Sequence, residues 1–108
     1  MNIENINKLI EEIGKINAPI VFDWENCYSG MAWKLTGKRE QFPSLFPLGY
    51  WLGINEAEED RLQYLTGSNP GDEGHRLEAF ALKSVEEQKA MLTLGLTSLR
   101  DERMIRWK

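Results

Sequence analysis

The sequence has one cysteine and one histidine among 108 residues, and that scarcity excludes most thiol and metal chemistry at the outset. Cys27 has no second thiol with which to close an intramolecular disulfide, and there is no thiolate cluster to hold zinc. A chain without disulfides suits a reducing compartment, so a cytoplasmic location is expected. His75 by itself cannot build a histidine-rich metal site. Long apolar runs are missing too. The longest uncharged stretch, QFPSLFPLGYWLGIN (residues 41–55), is too short and too rich in Pro and Gly to span a bilayer. The N-terminal stretch MNIENINKLIEEIGKI carries acids at Glu4, Glu11 and Glu12 where a secretory signal needs an unbroken apolar segment, so no membrane contact is expected.

A basic stripe is also lacking. The net charge is −4, and the segment from Asn55 to Glu87 holds nine acids against three bases. The last nine residues, RDERMIRWK, hold four bases and two acids, a weak stripe. Gripping phosphates calls for clustered Lys and Arg, so nucleic acid is not an expected partner. The Gly-rich pieces LGYWLG and NPGDEG match neither a phosphate loop nor a dinucleotide fingerprint. No cofactor and no metal is expected. Asp23 and Glu25 could hold a hard cation, but acids spaced by two in a turn are commonly just solvated.

What is present is enough for one folded domain over residues 1–108. Ile3, Ile6, Ile10 and Ile13 recur at intervals of three and four, which predicts an amphipathic helix ending near Gly14–Asn17. APIVFDW then predicts a short buried strand over residues 19–24. MAWKLTG (residues 31–37) sets Met31, Trp33 and Leu35 against Ala32, Lys34 and Thr36, a half-buried strand pattern, with residues 25–30 as the connection. GYWLGI (residues 49–54) reads as a third strand with a bulge at Gly53.

Asn55 followed by Glu58, and Ser84 followed by Glu87, are capping-box spacings that open two further helices. The second helix carries Val85, Met91, Leu92, Leu96 and Leu99 on one broad stripe. Residues 67–74 form a turn cluster, and residues 75–83 lean to strand because a fresh helix starts at Ser84. The expected fold class is therefore α+β, a small mostly antiparallel sheet of three to four strands with helices packed on one face.

DWENCYSGMAW (residues 23–33) holds Cys27, and a Cys27–His75 dyad is the one thiol enzyme this chain could build. Within it, NCYSGMAW resembles the segment at which small cell-wall peptidases of the papain-like type carry their cysteine at a helix start. The chain departs from them at Tyr28, which interrupts the Cys-Ser step. Asp23 and Glu25, being negative, oppose thiolate formation. Ser29 has no G-x-S-x-G elbow around it. No catalytic residue is assigned.

Tryptophan is plentiful instead, at Trp24, Trp33, Trp51 and Trp107. Large rings with a polar edge concentrate in contact patches and ligand pockets. FPSLFPLGYWLG gathers Phe46, Tyr50 and Trp51 on one loop, which either closes the open side of the sheet or faces a partner. NEAEEDR places Glu58, Glu59 and Asp60 on a solvated helix that can steer a basic partner. The expected function is non-enzymatic contact with another protein, a basic one by preference, in the manner of an inhibitor, immunity or accessory factor. The alternative is a small-molecule site with a cleft lined by Trp24 and Trp33, where Asp23 or Glu25 holds a cationic ligand against a ring. Met104, Ile105 and Trp107 offer an apolar C-terminal segment on which a second copy could pack into a homodimer.

Overall fold

A computed structural model of the chain describes residues 1–19, 27–63 and 83–106. Every regular element among these residues is helical, which overturns the expected α+β class: no strand and no sheet occurs among them. The order is α1 (Ile3–Gly14), α2 (Tyr28–Leu35), a 3-10 turn (Pro43–Leu45), α3 (Leu48–Leu52), α4 (Glu56–Gln63) and α5 (Val85–Glu102). The strands expected over residues 19–24 and 75–83 fall almost entirely outside the described residues.

Helix α1 follows its sequence period. Asn2 caps it by accepting from the Asn5 N–H, and Ile6, Leu9 and Ile13 are fully buried, while Ile3 turns outward. Fully burying side chains of this size contributes about 1.5–3 kcal/mol each. Helix α1 packs most extensively against α5, where Leu92, Leu96 and Leu99 are equally buried.

The stretch expected to form a strand over residues 31–37 is the body of α2, and the expected connection before it is the helix start. Cys27, in extended conformation, takes the capping position, its Sγ accepting from the Gly30 N–H at 3.4 Å. An eight-residue helix is marginal alone, so its stability has to come from packing. Tyr28, Met31, Ala32 and Trp33 are all buried, and the Tyr28 hydroxyl donates to the Leu92 carbonyl at 2.8 Å.

The third expected strand, residues 49–54, is likewise helical, as α3 and its terminus. Gly53 is the residue that stops it rather than a bulge. At φ +68° it occupies the left-handed region, and the Gly53 and Ile54 N–H groups bond back to the Tyr50 and Gly49 carbonyls. Helix α4 buries only Leu62, and its start is fixed by the reciprocal Asn55–Glu58 pair. Helix α5 opens on the matching Ser84–Glu87 pair. Beyond α5 the chain doubles back through Arg103, with Arg106 donating to the Ser98 hydroxyl at 2.9 Å, which buries Ile105. Among the described residues, no helix is long and apolar enough to cross a membrane.

Candidate functional site

The segment leading from α2 into α3 carries most of the aromatic residues singled out above. Gly37 and Lys38 both have positive φ, 82° and 59°, and turn the chain sharply at the end of α2. Lys38 then folds back over the Trp33 ring, its Nζ 5.3 Å from the ring centre, and Trp33 Nε1 donates to the Glu40 carbonyl at 2.9 Å. Trp33 is thus buried with its polar edge engaged, and the cation on its ring is the chain's own. Trp24, its expected companion in a ligand cleft, lies outside the described residues, as do Asp23 and Glu25.

Past this turn, apolar side chains divide between inside and outside. Phe46, Leu48 and Leu52 are buried in the core, and the Trp51 ring meets Phe46 edge to face with centroids 5.8 Å apart. Phe42, Leu45 and Tyr50 point the other way, 52, 61 and 90% exposed. The stretch therefore carries both buried and exposed apolar side chains, and among the described residues there is no sheet for it to close. Pro43 starts the 3-10 turn, and its short repeat sends Leu45 outward and Phe46 inward. Of Phe46, Tyr50 and Trp51, selected from this apolar stretch by sequence, Phe46 is buried and Trp51 half-buried, whereas Phe42 and Leu45, which were not selected, are exposed. A signal for both was available, since Phe42 precedes the turn that Pro43 begins, Leu45 ends it, and neither has a periodic partner in a helix.

The four acids of α4 differ in what they do. Glu58 receives Arg103 through both carboxylate oxygens, at 3.1 and 3.2 Å, and also accepts from the Asn55 N–H. Burial pushes its pKa up, but the Asn55 bond, the Arg103 guanidinium and the N-terminal amine outweigh that and hold it below the ordinary value. Glu59 lies against Gly49 at the start of α3, where Pro47 offers no side-chain cap, and takes a bond from its N–H. It also accepts from Gln63 Nε2, which bonds Ser29 on α2 as well. Burial raises the Glu59 pKa first, and the Asp60 and Glu56 charges add to this against the lowering by the Gly49 bond. Asp60 and Glu56 are left exposed beside them. Two of the four acids therefore lock α4 against α5 and α3, and two face solvent.

The remaining candidates are less concentrated. Cys27 caps α2, and its expected partner His75 is not among the described residues. A helix therefore starts at Cys27, where a connection leading into a strand was expected. Among the described residues, no three His, Cys, Asp or Glu side chains cluster as metal ligands would. In the C-terminal segment Ile105 belongs to the chain's own core, Met104 is exposed, and Trp107 is outside the described residues. An open hollow of about 610 Å³ lies between α4 and the end of α5, lined by Ala57, Arg61, Leu99 and Met104 among others. A smaller one of about 270 Å³ lies where α1 ends beside α2, against Ile16, Pro19 and Met31. Among the described residues, neither is lined by an aromatic side chain. Set against known proteins, the chain matches no family model, no curated protein and no solved structure.

Proposed function

We propose that the chain acts without catalysis, as a contact module that binds another protein through the surface around Tyr50. The observation that carries this reading is the near-complete exposure of Tyr50 on a helix whose opposite side closes the core. A tyrosine on a short, anchored helix presents a large amphipathic ring with little conformational freedom left to lose, which is what interface hot spots use. Phe42 and Leu45 add exposed apolar area in the same stretch of chain, and Glu56 and Asp60 are exposed on α4, which packs against α3, so that their negative charge suits a basic partner. The setting that suits such a module is a reducing, cytoplasmic one, in the manner of an inhibitor, immunity or accessory factor.

The test compares affinity capture by the wild-type chain and by Tyr50→Ala, with circular dichroism to verify that both are folded. Tyr50 is exposed, so the substitution leaves the core intact. Proteins retained by the wild type and lost with Tyr50→Ala support the reading. Identical capture by the two chains, or none by either with the purified chain in excess, removes it.

A further inference from the structure

We infer that α4 is a latch, a helix that opens from the fold as a unit of its own while α1 and α5 stay closed. The inference goes beyond the contact reading above and does not depend on it. Of the eight side chains of α4, only Leu62 is buried. Helix α1 buries Ile6, Leu9 and Ile13, and α5 buries Leu92, Leu96 and Leu99 among others. The apolar surface an element buries sets much of the free energy needed to lift it away, so by this measure α4 is the most weakly held of the described helices.

Its packing agrees with this. Among the described helices, α4 packs chiefly on α3, the shortest of them. Toward the end of α5 lies the hollow of about 610 Å³, lined by Ala57 and Arg61 of α4 and by Leu99, Met104 and Ile105 across from them. Where side chains do not meet, neither burial nor dispersion holds two helices together. The ties that reach out from α4 are polar instead. Glu58 receives Arg103 at 3.1 and 3.2 Å, Glu59 accepts from the Gly49 N–H, and Gln63 donates to the Ser29 hydroxyl at 3.2 Å. They fasten α4 at separate points, to the end of α5, to α3 and to α2, rather than along a buried face. Polar groups released at a surface find water as a new partner, so breaking these ties costs little beside unpacking α1 from α5. Opening brings Leu62 into solvent, widens the hollow beside Leu99 and Ile105, and takes from Gly49 the carboxylate that accepts its N–H. The position of α4 is thereby coupled to the helix that carries Tyr50.

Native-state hydrogen exchange of the full chain, followed residue by residue by NMR at urea concentrations below the unfolding transition, tests this. The amides of residues 60–63 should exchange about tenfold or more faster than the best-protected amides of α1 and α5. Their exchange should depend little on urea, because opening α4 exposes little surface. Ile13→Val weakens a contact that stays closed when α4 opens. It should speed exchange in α1 and α5 about two- to tenfold and leave α4 unchanged. Arg103→Met cuts one tie without altering the sequence of α4, and should speed α4 exchange about two- to fivefold. Exchange of α4 at the rate and urea slope of α1 and α5 overturns the inference. So does an α4 that Ile13→Val speeds along with them, or one indifferent to Arg103→Met.

Discussion

Glu58 and Arg103 stand 45 residues apart in the chain and meet through two parallel N–H···O bonds. The pair joins the first turn of α4 to the residue that ends α5, and the same carboxylate closes the capping box with Asn55. Replacing Glu58 by Ala removes the ion pair and the return bond from the Asn55 N–H, while the Asn55 side chain still caps the backbone N–H at position 58. The expected loss is about 1–2 kcal/mol, shared between that hydrogen bond and a half-exposed ion pair that contributes under about 1 kcal/mol. Urea unfolding of Glu58→Ala, Arg103→Met and the double variant separates the two contributions.

Glu58 and Glu59 push the acid stability of the fold in opposite directions. Glu58 titrates lower folded than unfolded, so its stabilisation is present above the unfolded carboxylate range and lost as pH falls through the folded value. Glu59 titrates higher when folded, so its contribution is full below the unfolded range and is lost as pH rises through the folded value. Removing the charge with Glu58→Gln should flatten the loss of stability on acidification, and Glu59→Gln should steepen it. Urea midpoints measured from neutral pH down to the acid limb decide this, and equal slopes in both variants would contradict it.

Two glycines at either end of α3 should respond differently to alanine. At Gly49 an added Cβ would meet the Glu59 carboxylate, the far end of a side chain that can swing away. The cost is then the lost cap on α3, about 1 kcal/mol. At Gly53 the Cβ would stand 2.9 Å from the Asn2 nitrogen and 3.1 Å from Met1 Cα, backbone atoms that cannot yield cheaply. The left-handed conformation adds about 1–2 kcal/mol. Gly53→Ala should therefore be clearly the more destabilising in thermal unfolding.

Within the core, the hydroxyl of Tyr28 and the side chain of Leu96 contribute on different scales. Tyr28→Phe removes one buried hydrogen bond to the Leu92 carbonyl and should cost about 0.5–1.5 kcal/mol. Leu96→Ala opens a cavity among fully buried neighbours and should cost about 2–5 kcal/mol. Denaturant midpoints of the two variants check the order.

Where the sequence carried a long period or a reciprocal cap, the fold was legible: α1 from its isoleucines, α4 and α5 from Asn55–Glu58 and Ser84–Glu87. It misled where helices are short. In α2 the alternation of Met31, Trp33 and Leu35 looks like a strand, yet Met31, Ala32 and Trp33 are buried in succession because eight residues are wrapped by neighbours. Its cap is a cysteine, a residue type that carries little start signal. In α3, Pro47 before the helix and Gly53 after it were the useful marks, a Pro-to-Gly asymmetry easily taken for loop punctuation in so short an element. The site was legible in composition rather than in geometry. Aromatic excess pointed to residues 42–51, but only tertiary packing separates Tyr50, which faces out, from Phe46, which faces in.

Helix α1 is bonded to its neighbours by polar contacts spread along its whole length. Asn2 donates to the Leu52 carbonyl at 2.7 Å and Asn5 to that of Trp51 at 2.7 Å, while Asn7 accepts from Arg100 and the Gly14 carbonyl from Lys89. The first helix therefore clasps the short aromatic helix at one end and the long helix along its side. Local opening should respect that clasp: amide protons of α1, α3 and α5 should exchange with solvent as one cooperative unit, at a rate set by detachment of the first helix. Whatever loosens that helix would also release the orientation in which Tyr50 is displayed.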